Sequence, residues 1–470
     1  MAVFKEEDTI VAVASAHGRG AIACVRVSGK GAYSAVQHLF ERDTKIGEFS
    51  PRTVHLVWLV DAEGRRLDHV TLIRYAAPNS FTGEDLVEIF CHGGKWAPTR
   101  IIENLCKAGC RIAEPGEFTR RAFFNHKLDL LQAEAIEDIV SAESPAGLQN
   151  ALDHLEGHFS KRLAELRQRL VHACALLELG LDFVEEDVEF ADREQLAAEM
   201  DVLEKEIRFL LSSYHRGQAI KEGWRVAIVG KPNVGKSSLM NALLGHDRVI
   251  VSPRPGTTRD TVEDGLLLDG QLFRLIDTAG IRTSCDEIEK EGVARSQRAA
   301  KQAHVVLFVS DQSQPADELD QQIARECIYF TGPGEFENQP KKIIHIRNKI
   351  DLPPASASFQ MAVPVDAEVS TSAVTGAGIA ELENAICSVT QQNGVPQPNE
   401  VLLTNLRHKQ CLEKALTALT HARQSLDANL SSEFVAADLR EVIHEIGVLI
   451  GEVTTEDILG EIFSKFCIGK

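Results

Sequence analysis

Three short runs carry groups able to grip a polyphosphate and read a base. The first, Gly230-Lys-Pro-Asn-Val-Gly235-Lys236-Ser237, fits the G-x-x-x-x-G-K-S/T spacing and stands between an apolar run, Val226 to Val229, and the helical stretch SLMNALLG. Glycines at both ends let the main chain turn its N–H groups onto phosphate oxygens. Lys236 then offers a point charge to the β and γ oxygens, Ser237 can ligate Mg2+, and Asn233, Val234, Gly235 and Ser238 belong to the same loop. The second run, Asp277-Thr278-Ala279-Gly280, follows FRLI, which puts Asp277 at a strand end beside the metal shell and Gly280 where backbone can meet a γ-phosphate. The third, Asn348-Lys349-Ile350-Asp351, follows KIIHI, and Ser372-Ala373 follows AEVST. A carboxylate at Asp351 can accept from guanine N1–H and the 2-amino group; adenine lacks that donor pair, so the base preference is GTP over ATP. One such run could be a glycine-rich turn, but the ordered set removes most of that reading.

These elements match those of translation-factor-related GTPases. Between the first two lies Ser252-Pro253-Arg254-Pro255-Gly256-Thr257-Thr258-Arg259-Asp260, where the first switch of such proteins falls, and Thr258 is the expected second Mg2+ ligand, engaged only while γ-phosphate is present. The residue after Gly280 is Ile281, which cannot orient water as the glutamine of Ras-like proteins does. Asp286, Glu287, Glu289 and Glu291 are the acidic candidates for that task, and Arg282, Arg259 or a bound monovalent cation could supply positive charge.

A parallel sheet is needed to aim these loops, and the chain supplies the pattern for one. From VAIVG to about Thr390 strands alternate with helices. Before it, from Thr9 to about Ile112, short β-rich runs such as IACVRVSG, TVHLVWLV and HVTLIRYAAP indicate an α+β domain, and from Phe118 to Leu211 apolar residues recur at helical spacing. QQNGVPQPNE reads as a linker, after which helical periodicity returns from Leu402. The expected fold is multidomain: an N-terminal α+β domain over 1–122, a helical domain over 123–220 and 391–470, and an α/β P-loop domain of Ras-like type inserted over 221–390. Insertion is tolerated where chain ends lie close together.

At 470 residues the prior is about three folding units. Apolar residues make up 44% and charged residues 25%, ordinary for a globular protein. A net charge of -19 argues against coating nucleic acid through the overall field. Two basic clusters, one of Lys161, Arg162, Arg167 and Arg169 and one of Arg407, His408 and Lys409, read as solvated faces more readily than as phosphate sites. No run approaches a membrane span and MAVFKEEDTIVAV lacks a basic region ahead of an apolar one, so a cytoplasmic protein with reduced thiols is expected. Of ten cysteines, Cys106 and Cys110 share a spacing that could put two thiols on one helical side, packing rather than binding zinc.

The chain closely resembles the MnmE (TrmE) family of tRNA modification GTPases over essentially its whole length. The resemblance rests on HGRGAIACVRVSG, NSFTGEDLVEIFCHGG, PGEFTRRAFFNHKLDLLQAEAIEDIVSA, the GTPase runs with PGTTRD and DTAGIR, and the terminal FCIGK. It implies a homodimer, joined through the N-terminal domains, that works with an FAD-carrying partner of the MnmG type, in a heterotetramer, to place an aminomethyl-type group on C5 of the wobble uridine of certain tRNAs. It implies a 5-formyltetrahydrofolate-like ligand held by Arg26, Glu88, Lys127 and Lys470, with FAD on the partner only. It implies that Cys467 is a nucleophile or redox-active thiol, the other reading being one more packed residue on the helix ILGEIFSKF. It also implies K+ in place of an arginine finger, bound by Asn233 with carbonyls of Ser252 and Arg254 and with Thr257 nearby, and Glu289 as the group that positions water. The family's NDKLDL is NHKLDL here, with His126 beside Lys127.

Two other classes compete. A noncatalytic, ribosome-assembly GTPase would share the nucleotide motifs but append a basic RNA module with a G-x-x-G loop or a second phosphate loop, and neither is evident. A membrane-remodelling GTPase would need a basic amphipathic or lipid-anchoring segment, which is also absent from the sequence.

Overall fold

A computed structural model describes residues 8–16, 18–182, 193–249, 264–276, 299–315, 317–329, 341–355, 364–391 and 402–470. The chain divides into two compact units, one of Met1–Val140, His154–Glu204 and Gln410–Lys470, the other of Ser141–Asp153 and Lys205–Lys409.

The first unit holds a six-stranded sheet in the order β3 (Val54–Val60), β4 (Arg66–Tyr75), β5 (Leu86–His92), β2 (Ile22–Ser28), β1 (Ile10–Val13), β6 (Arg111–Ile112). Neighbours are antiparallel except β1 and β6. Alternation sorts the side chains: Ala23, Val25 and Val27 of β2 and Val87, Ile89 and Cys91 of β5 face a core closed by helices α1 (Ala32–Gln37) and α2 (Trp96–Lys107). The other face turns outward, and there the register sets Arg26 directly opposite Glu88. Cys106 lies in the last turn of α2, but the helix stops at Lys107 and Gly109 takes φ +102°, so Cys110 lies beyond the helix rather than on its side. Both thiols pack with the same core, and no cluster of metal-ligating groups occurs among the described residues.

The helices that follow are α3 (Glu117–Phe124), α4 (Leu130–Ser141), α5 (Pro145–Leu155), α6 (His158–Asp182), α7 (Arg193–Ser212) and α8 (Tyr214–Glu222); near the end of the chain come three more, named below. Helix α6 packs on a helix far along the chain, Ser432–Ile450: Cys174 Sγ lies 3.8 Å from the Ala436 carbonyl, Arg440 Nε donates to Glu178 at 2.9 Å, and Arg167 pairs with Glu452 at 2.8 Å. Helices from both sides of the nucleotide segment therefore pack together, which makes that segment an insertion. The same contacts, with Arg169 on Glu199 at 3.1 Å, occupy part of the first basic cluster; in the second, His408 is buried rather than solvated.

In the second unit a seven-stranded sheet runs β13 (Ala367–Thr371), β12 (Lys342–Asn348), β11 (Val305–Asp311), β7 (Trp224–Val229), β10 (Gln271–Ile276), β9 (Asp264–Leu268), β8 (Arg248–Val249). The strands from β13 to β10 pair in parallel. β7 and β11 are buried nearly throughout, the continuous apolar run expected of strands covered on both faces. Helices α9 (Lys236–Asp247), α10 (Glu318–Tyr329) and α11 (Ile379–Gln391) are the long described helices of this segment; α12 (Leu406–Asp427), α13 (Ser432–Ile450) and α14 (Glu456–Phe463) complete the chain. β7 has partners on both sides, β10 and β11, so the crevice beyond its carboxyl end is where such sheets bind ligands. No described helix is long and apolar enough to cross a membrane.

Candidate nucleotide site and a second polar site

The phosphate loop leaves β7 at Val229 and enters α9 at Lys236. Its glycines are required by contact as well as by angle: a Cβ on Gly230 would stand 2.3 Å from the Val309 carbonyl, and one on Gly235, at φ +97°, would stand 2.2 Å from Asn348 Nδ2. Asn233 takes φ +63°, a conformation asparagine tolerates better than most residues. Val234 is buried and its carbonyl accepts from Asn348 Nδ2 at 2.7 Å. Ser237 and Ser238 are exposed in the first turn of α9. Lys236 Nζ donates to the Gly230 carbonyl at 2.8 Å and the Lys231 carbonyl at 2.6 Å.

The base-reading segment is laced to that loop. Asn348 ends β12, and its Oδ1 accepts from Thr371 Oγ1 at 3.2 Å and from Ala373 N at 3.3 Å. Lys349, at φ +66°, donates from Nζ to the Asn233 carbonyl at 2.8 Å and to Asp311 Oδ2 at 2.6 Å. Partial burial would raise the Asp311 carboxyl, but the bonds from Lys349 and from the Ser313 hydroxyl and N–H together outweigh it and hold the group below its usual range. Ser372 Oγ donates to Asp351 Oδ1 at 2.6 Å and itself accepts from Thr375 N at 3.2 Å. Asp351 is thus oriented yet exposed, with lone pairs left for the two guanine donors.

Burial pushes the Lys236 ammonium down to about 8. An incoming polyphosphate favours the charged form, so binding above pH 8 has to take up a proton. Between pH 7 and pH 9 the affinity for GDP should therefore fall about tenfold, with proton uptake approaching one per nucleotide at the upper end. Calorimetry in buffers of differing ionisation heat measures both.

The remaining nucleotide-site residues expected from the sequence, Ser252, Pro253, Arg254, Pro255, Gly256, Thr257, Thr258, Asp277, Thr278, Ala279, Gly280, Arg282 and Glu289, lie outside the described residues.

A second polar site forms on the open face of the six-stranded sheet. Arg26 donates to Glu88 Oε1 from Nε at 3.1 Å and from Nη2 at 2.8 Å, while Tyr75 Oη donates to Glu88 Oε2 at 3.1 Å. The guanidinium lies over Phe81 at 5.2 Å and Phe118 at 5.6 Å and reaches the Gly469 carbonyl at 3.5 Å. That last contact is made because the C-terminal tail is threaded onto the unit. Ile468 forms a bridge with Pro115, the Phe118 N–H donates to the Lys470 carbonyl at 3.3 Å, and Gly469, at φ +97°, lies so close that a Cβ would stand 2.2 Å from the Val13 carbonyl. Burial and the nearby Arg26 charge pull the Lys470 ammonium down. Cys467 is exposed beyond the end of α14, so it is not a packed helix residue. Lys127 is exposed, its stem beside Gly83.

Beneath this site lies a buried network that sequence reading passed over. Arg121 donates to Glu84 at 3.1 Å and Glu117 at 3.0 Å, Arg111 donates to Glu117 at 2.7 Å, and Ser28 donates to Glu84 at 2.8 Å. The Glu117 and Arg121 spacing within EFTRR was the available signal, since residues four apart share a helix face.

Comparison with known proteins assigns both parts of the chain. A family model described as the TrmE N-terminus of a GTP-binding protein matches residues 9–127, and one described as the MnmE helical domain matches 130–467. A curated protein of Salinibacter ruber named tRNA modification GTPase MnmE is 42% identical, the match covering 99% of this chain and 100% of that protein. Proteins of the same name from Chlorobium chlorochromatii and Parabacteroides distasonis are each 40% identical, covering 99% and 98% of this chain and 98% and 100% of their own.

Proposed function

The chain belongs to the tRNA modification GTPase MnmE family, and from that premise we propose that it is a K+-dependent GTPase which, with an FAD-carrying partner of the MnmG type, modifies C5 of the wobble uridine of certain tRNAs using a folate one-carbon unit. The observation that carries the folate part is the tail, which brings the Gly469 carbonyl and the Lys470 ammonium to Arg26, the cross-strand partner of Glu88. A guanidinium suits a carboxylate tail, a carboxylate suits the donor edge of a pterin, and Lys127 and Lys470 add cations. A 5-formyltetrahydrofolate-like ligand would supply the one-carbon unit; this chain's residues bind and orient it.

The same face supports a homodimer. Ile22, Val54 and Leu56 are each about two-thirds exposed and, by register, share the face with Arg26 and Glu88. Large apolar side chains left exposed on one sheet face suit an interface. In the nucleotide domain, Ser237 and Thr258 would hold Mg2+, and the Asn233 carboxamide, exposed on the phosphate loop, suits a monovalent cation completed by Ser252, Arg254 and Thr257. Glu289 positions water and Arg282 lies in the same switch.

The test is reconstitution with the partner flavoprotein, a tRNA bearing a wobble uridine and folate labelled at the one-carbon position. Label should enter the nucleoside. Arg26→Ala should weaken folate binding about tenfold to hundredfold, the worth of a charged hydrogen bond, and its melting temperature reports that the fold is kept. Modification that proceeds without folate, or unchanged folate affinity in the variant, would remove this part of the reading.

A further inference from the structure

Lys231 is the second residue of the phosphate loop, and its side chain does not point to where phosphate would lie free of other charge. Nζ stands 2.5 Å from Asp317 Oδ1 and 2.6 Å from Asp320 Oδ2, with the lysine side chain only 16% exposed. Both carboxylates sit at the start of α10 and are already engaged there: Asp317 Oδ1 accepts from Leu319 N at 2.9 Å and Asp320 N at 3.2 Å, and Asp320 Oδ2 accepts from Asp317 N at 3.3 Å. This is a reciprocal cap at a helix N-terminus, which favours negative charge. The acids are therefore fixed by their own helix before Lys231 meets them, and the lysine is what the arrangement restrains.

The restraint falls on the part of the loop that matters for nucleotide. The Lys231 carbonyl accepts from Lys236 Nζ at 2.6 Å, so the residue clamped through its side chain also aims the phosphate-binding lysine through its main chain. On the far side of the loop, Lys349 ties the Asn233 carbonyl to Asp311. One segment, from Asp311 to Asp320, thus braces the loop at two points.

We propose that Lys231, clamped by Asp317 and Asp320, is a positioning residue that holds the phosphate loop in its nucleotide-receiving shape, and that its charge is spent on the protein rather than on the ligand. The alternative, a second phosphate-binding lysine, makes the opposite forecast for the acids. If Lys231 served the phosphates, neutralising Asp317 and Asp320 would free it and tighten binding; if it serves the loop, neutralising them weakens binding as removal of Lys231 does. Asparagine caps a helix as well as aspartate, so Asp317→Asn with Asp320→Asn takes away charge while leaving the cap.

The experiment is titration of the full chain with fluorescent N-methylanthraniloyl-GDP, and GTP turnover at saturation, for Lys231→Ala, Lys231→Arg, the double Asn variant and the triple combination. Lys231→Ala and the double Asn variant should each raise Kd about tenfold, as loss of a charged hydrogen bond does, with kcat kept and KM raised. The triple variant should be no worse than either, because the groups act as one unit. Lys231→Arg should restore most of the affinity. Tighter binding in the double Asn variant, unchanged Kd in Lys231→Ala, or additive losses in the triple variant would each overturn the proposal.

Discussion

Exchanging potassium for sodium at matched ionic strength should slow GTP turnover by the full chain on the order of 10³-fold, the low end of what an arginine finger supplies in related enzymes. The expectation follows from what the site lacks and what it offers. Ile281 stands where a water-orienting glutamine would be, so the charge that develops on the γ-phosphate needs another source. Asn233 is exposed on the phosphate loop in a left-handed conformation, and Lys349 pins its carbonyl, leaving the carboxamide to serve a cation. Asn233→Ala should bring the potassium rate down to the sodium rate while nucleotide still binds, as measured by steady-state phosphate release in the two salts. Equal wild-type rates in both salts would pass the role to Arg282 or Arg259.

Cys467→Ser should cut tRNA modification on the order of 10²–10⁴-fold, the range for a lost nucleophile or proton-transfer group, and leave GTP hydrolysis intact. Cys467 is exposed, whereas Cys91, Cys110, Cys174 and Cys411 are buried. Its neighbours in the same unit are poor candidates: burial and the Glu88 carboxylate push the Cys24 thiol up to about 12, and burial alone accounts for most of the rise at Cys110, also to about 12. A thiol that cannot ionise is a weak nucleophile. The check is mass spectrometry of the wobble nucleoside after reconstitution, with Cys411→Ser, a buried packing thiol, beside it; modification that survives in Cys467→Ser would assign the chemistry elsewhere.

The nucleotide site was readable from sequence because its parts are local. A loop that turns main-chain N–H groups onto phosphate needs glycine at fixed offsets, and a strand buried on both faces announces itself as an unbroken apolar run, as Val226 to Val229 did. What escaped was whatever depends on register or on distant pairing. Nothing in the string says that Arg26 and Glu88 are cross-strand partners, or that Lys231 meets acids 86 and 89 positions further on (317 − 231 and 320 − 231). A helix end misled in one place. Cys106 and Cys110 fit helical spacing, but a helix stops where its caps stop it, and Cys110 lies past the end. The Glu117 and Arg121 pair was passed over because burial is not visible in residue type when a cluster of opposite charges satisfies itself.

The threaded tail sets a clock on biosynthesis. The guanidinium of Arg26 contacts a carbonyl 443 residues away. At about 5–20 residues per second, a ribosome takes roughly 20 to 90 s to travel that distance. The N-terminal sheet, whose six strands all end by Ile112, has time to form long before then, but its outward site is finished only when the tail emerges and slots Gly469 against Val13. A nascent chain that has not yet released its tail therefore folds a sound first domain without the Gly469 contact that completes the polar site around Arg26.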